Sequence, residues 1–141
     1  MLSSSVASLN GRTAEYLIFR ALLQVKRQRE ARIRKNIARL HDVVAQAEKA
    51  LHDNGCAYHH VIQTARMLSS RTGMDSVEQW QRSRQNMLQL RDDARRLVVR
   101  AGELAAWCDG QKEKLSEQEA ILLSVLKKQE KLRILLNDVP D

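Results

Sequence analysis

The chain has 141 residues, 29% of them charged and 4% aromatic, with one proline, five glycines and two cysteines. That length holds one domain, and few aromatics amid abundant Ala, Leu, Gln, Arg and Lys exclude an ordinary globular core in favour of long helices. The formal charge of +7 admits nucleic acid, a membrane surface or an acidic protein as partner.

No apolar run is long enough to span a bilayer, so direct membrane insertion is not expected. Cys56 and Cys108 make no disulfide framework. Met1 to Asn10 lacks the basic and apolar regions of a secretory signal, and a cytosolic setting is expected.

In chain order, residues 1–12 are rich in serine and broken by Gly11, and read as a disordered N-terminal tail. Thr13 is a candidate N-cap for a first helix over about 14–69, with Glu15 favourable in its first turn. Apolar residues then recur in a four-three rhythm through Ile33, Ile37, Leu40, Val44, Ala47 and Leu51. It continues at Asn54, Tyr58, Val61, Ala65 and Leu68. Traced backwards, the rhythm meets the polar residues Glu30 and Lys26 and recovers at Leu23, Phe19 and Tyr16. A 3.5-residue period held this long is a coiled-coil seam.

The rhythm breaks in a loop of about 70–76, and Ser76 followed by Gln79 forms a capping box for a second helix over about 77–138. Its seam passes through Trp80, Met87, Leu90, Ala94, Leu97, Ala101, Leu104 and Cys108. Gln111, Leu115, Gln118, Leu122, Val125, Gln129, Leu132 and Leu136 complete it before Pro140. A short loop makes the helices antiparallel, so residues 13–139 are expected to form a single all-α, long antiparallel two-helix coiled-coil hairpin. Facing residue numbers are expected to add to about 148, which pairs Leu68 with Trp80, Val61 with Met87, Val44 with Leu104, Ala47 with Ala101 and Ile33 with Leu115.

No Ser/His/Asp set, phosphate loop or pair of carboxylates has catalytic spacing, so no catalytic residue and no enzyme activity are expected. A two-helix hairpin also lacks a concave pocket that could desolvate a reaction. His52, Cys56, His59 and His60 are the one metal-like cluster, with His52–Cys56 and Cys56–His60 each one helical turn apart. No carboxylate is placed to orient the imidazoles, so solvated residues rather than a metal site are expected, and no cofactor is implied.

The charge is concentrated. Between Arg12 and Arg39 lie nine cations against Glu15 and Glu30, a surplus equal to the whole net charge. Arg20, Arg27 and Arg34 recur every seven residues in a stripe beside the seam. In the expected register Arg27 can meet Glu119, while Arg20 and Arg34 meet no carboxylate. The Asn-x-x-Ala-Ala signature of a DNA-reading basic helix is missing, so no nucleic acid is expected. The end carrying the termini is also apolar beyond its seam, through Leu17, Ile18, Leu22 and Val25 on the first helix. Ile121, Leu123, Leu126, Ile134 and Leu135 do the same on the second. Either another protein or a third helix from self-association should cover this surface.

A hairpin with a basic, apolar termini end and a short loop at its far tip resembles the YscO/FliJ family. These are the central stalk proteins of type III secretion and flagellar export ATPases. The stretch Leu126-Lys127-Lys128-Gln129-Glu130-Lys131-Leu132-Arg133-Ile134-Leu135-Leu136-Asn137-Asp138 is similar to the lysine-rich, aliphatic C-terminal helix of virulence-system stalks. The resemblance implies that the termini end sits in the pore of a hexameric secretion ATPase and that the far tip reaches an export-gate membrane protein. Secretion chaperones are further implied partners, and the implied location is cytoplasmic, peripheral to the inner membrane.

On that reading the ATPase contact falls on Leu17, Ile18, Arg20, Leu22, Arg27 and Arg34, with Lys127, Lys128, Ile134 and Leu135 from the second helix. The export-gate contact falls on Tyr58, Ile62, Met67, Met74, Val77 and Trp80. The rival is a self-associating coiled-coil scaffold or chaperone-like binding protein.

Overall fold

Two helices account for the fold: α1 over Leu2–Ser69 and α2 over Val77–Asp138, forming an all-α hairpin without strands among the described residues. The computed structural model describes residues 2–71, 73 and 76–138, with side chains at 11, 13–71, 73 and 76–137. Met74, one of the expected tip residues, lies outside this set.

Helix α1 begins earlier than the expected start near 14, and the stretch read as a disordered tail is helical from Leu2 onward. Gly11 is the main obstacle there. A single interior glycine costs about 1 kcal/mol relative to alanine, too little to stop a helix that adds one hydrogen bond per residue. Thr13 consequently lies inside α1 rather than capping it.

The loop is built by serine chemistry. The hydroxyls of Ser69 and Ser70 donate to the carbonyls of Arg66 and Met67, both at 2.9 Å, and the Arg66 carbonyl also accepts the Ser70 N–H at 3.1 Å, so side chain and backbone together satisfy the helix end. Gly73 adopts φ +89°, a conformation that side chains disfavour. Ser76 Oγ then accepts the Gln79 N–H at 3.1 Å, the N-cap interaction that starts α2.

Packing divides the chain into two compact units. The termini unit comprises residues 1–41 and 113–141, and the loop unit residues 42–112. Contacts in an antiparallel pair are made between residues at one level, so a long pair can divide between levels.

In the termini unit the core is Leu23, Ile33, Leu40 and Val125, all seam residues. Gln129 is also buried in this unit, and its Nε2 has no hydrogen-bond partner among the described residues. In the loop unit the buried seam residues are Val44, Ala47 and Cys108.

The register differs from the expected sum of 148. In the loop unit Lys112 Nζ pairs with Glu48 at 3.2 Å, numbers adding to 160, and Asn54 Nδ2 donates to the Leu97 carbonyl at 2.9 Å, numbers adding to 151. In the termini unit His41 meets Glu119 at 3.8 Å, again adding to 160. All three lie above 148, and long side chains account for the spread. A sum near 155, one heptad away, sets the two most buried residues of the loop unit, Ala47 and Cys108, at one level. A slip of seven keeps every seam position facing a seam position, which is why periodicity alone does not reject it.

Candidate protein-interaction surfaces

The termini unit presents an aliphatic surface outside its seam. Leu17, Ile18, Leu22 and Val25 on α1 and Ile121, Leu123, Ile134 and Leu135 on α2 are exposed, Ile18 at 58% and Leu123 at 61%. Leu126 is half-buried. Ile18, Leu22 and Val25 repeat the four-three spacing in a second stripe off the seam, and Arg29 and Arg32 continue it. A free two-helix pair has no use for a second apolar stripe.

The basic stripe lies within the same unit. Arg20 and Arg27, with Leu23, Gln24, Gln28 and Ala31, line a shallow groove on α1. Neither arginine has an ion-pair partner among the described residues, whereas Arg34 pairs along its own helix with Glu30 at 3.5 Å. The expected Arg27–Glu119 pair does not form, because the register gives Glu119 to His41. Lys127 and Lys128 are exposed and likewise carry no ion pair among the described residues.

The loop unit presents a different surface. Of the residues expected at the tip, Met67 and Val77 are about 70% exposed and Trp80 is 52% exposed. Tyr58 and Ile62 are half-buried, and the Tyr58 ring meets His59 edge-on at 6.0 Å. Trp80, expected in the seam opposite Leu68, is instead half exposed, and its ring lies under the Arg84 guanidinium, 5.5 Å from the centroid. The register is the cause. At a sum near 155 Leu68 is level with Met87, which leaves the first turns of α2 without an α1 partner.

Leu88, Val98, Val99 and Trp107 are also exposed and were not picked out from the sequence. Their signal was present: each is an apolar residue out of phase with the α2 seam.

The side chains expected to be chemically inert form no larger cluster. Cys56 Sγ lies 3.6 Å from His52 Nε2 on an exposed face. Among the described residues no group of three or more His, Cys, Asp or Glu side chains is arranged to hold a metal ion. No described helix is long and apolar enough to cross a membrane. Lys112 titrates above its usual 10.5, chiefly through its hydrogen bond to Glu48 and then through the charges of Cys108 and Glu48.

These features define a two-helix coiled-coil hairpin with exposed apolar surface on each of its units. Comparison with known proteins matches no family model, no curated protein and no solved structure.

Proposed function

We propose that this chain is the central stalk of a type III secretion export apparatus, seated by its termini unit in the pore of a hexameric ATPase and meeting an export-gate membrane protein through its loop unit. One observation carries the reading: exposed aliphatic residues of both helices share a unit with Arg20 and Arg27, which have no carboxylate partner among the described residues, while Arg34 pairs only along its own helix with Glu30. Aliphatic side chains anchor the unit where water is excluded. Arginines facing an acidic wall attract at long range without fixing one rotational position. The stalk works on the cytoplasmic side, peripheral to the inner membrane, and binds without chemistry of its own.

The second reading is a scaffold or chaperone-like protein whose aliphatic surface is covered by another copy of itself. The aliphatic residues alone support it equally, but a basic unit repels its own copy, which favours an acidic partner. Light scattering separates the two readings: the stalk is a monomer that joins a hexamer, and the scaffold is a stable dimer without partners. Co-purification of the hexameric ATPase with the chain, lost on reversing Arg20, Arg27 and Arg34 to glutamate, tests the stalk directly.

A further inference from the structure

Between Ala47 and Cys108 no described residue is buried, although the seam continues through this stretch. Val61, Ala65, Met87, Leu90 and Ala94 occupy seam positions and remain half-buried. Ala65 and Ala94 are too short to fill the space between the helices. The result is an apolar groove of about 410 Å³, completed by Ile62 and Leu88 and edged by Arg84 and Arg91. Apolar surface left open in this way favours a partner that removes it from water.

Charge selects the occupant. Residues 61–94 contain Arg66, Arg71, Arg82, Arg84 and Arg91 against Asp75, Glu78, Asp92 and Asp93, but the groove lining itself holds Arg84 and Arg91 and no carboxylate, and Asp93 is bonded to Arg96 and Gln89. Arg84 and Arg91 have no ion pair among the described residues, and Arg84 is held over the Trp80 ring beside the groove. A second copy of this basic chain would bring like charge to the same place.

We infer that the groove binds an acidic amphipathic helix of a partner protein. Met87 to Ala94 spans seven residues, about 10 Å of helix, which is the distance between apolar anchors one heptad apart. Leucines at that spacing fill the floor, and carboxylates on the flanks meet Arg84 and Arg91. An anionic membrane surface offers the charge but has no ridge to enter a groove. The inference shares with the stalk reading the idea that the loop unit is a contact surface, but it does not depend on an ATPase.

The test uses the full chain and a labelled designed helix with a leucine face and glutamate flanks. Controls are the same helix with lysine flanks and a scrambled glutamate sequence. Fluorescence anisotropy should detect the glutamate helix and neither control, with affinity falling as salt rises. Arg84→Glu with Arg91→Glu should weaken binding at least tenfold, as should Leu88→Asp, with helicity by circular dichroism unchanged. Equal binding of all three peptides, or no binding of the glutamate helix, would overturn the inference. Undiminished binding to the charge-reversed chain would also overturn it. So would binding to phosphatidylglycerol vesicles without binding to the glutamate helix, since that makes the surface lipid-facing. Failure of the ATPase experiment with success here would remove the stalk reading and leave the groove.

Discussion

Asn54 reaches across the loop unit to donate its side-chain amide to the backbone carbonyl of Leu97, at 2.9 Å and 43 residues away in sequence. A polar residue at a seam position specifies register at a cost in stability, because only some alignments provide it with a partner. Replacing Asn54 with leucine should raise the thermal midpoint while allowing neighbouring heptad alignments. Crosslinking patterns of the variant would then broaden; an unchanged single pattern would assign the register to other contacts.

The heptad shift can be read with one native cysteine. In an Ala47→Cys, Cys56→Ser chain, oxidation should join position 47 to Cys108 within one molecule. In a chain with cysteines only at 47 and 101, it should not. Faster mobility on a non-reducing gel in the second chain rather than the first would restore the alignment at 148.

Gln129 poses the opposite case to Asn54, being 4% exposed with its Nε2 unpartnered. A buried donor without an acceptor costs about 1–3 kcal/mol. Gln129→Leu should therefore raise the unfolding free energy by about 1 kcal/mol or more in urea titrations. A loss of stability would mean that the amide is satisfied in solution.

Gly102 sits within α2, and a Cβ added there meets nothing within 4 Å. Gly102→Ala should stabilise the chain by about 0.5–1 kcal/mol, chiefly by restricting the unfolded state. A lowered midpoint would show that a partner or a second copy of the chain approaches this position closely.

The arginine stripe separates function from folding. Exposed ion pairs contribute about 0–1 kcal/mol, so Arg20→Glu, Arg27→Glu and Arg34→Glu together should leave the helical signal and midpoint nearly unchanged. Association with the hexameric ATPase should fall at least tenfold, and salt should weaken the wild-type complex. Ile134→Asp with Leu135→Asp should have the same effect through the aliphatic surface. Unaltered affinity in both variants would place the contact elsewhere.

The sequence by itself determined the elements and their inward faces. A seven-residue repeat admits no other regular structure over this length, and Ser76 with Gln79 marked the start of α2 because a helix leaves N–H groups that a serine oxygen satisfies. It also showed Leu17, Ile18, Leu22 and the arginines to be surplus to the seam, since residues out of phase with the repeat do not face the other helix. It did not show the helical start at Leu2, where propagation overrides local composition. Tertiary structure alone decided the alignment. Each heptad slip preserves the apolar seam, so the choice rests on a few side chains such as Glu48 with Lys112 and Asn54 with Leu97, whose pairing depends on distance rather than pattern. That alignment in turn exposes Trp80 and leaves the groove lined by Ala65 and Ala94 open, because which residues lie level across a seam is fixed only when the two helices are brought together.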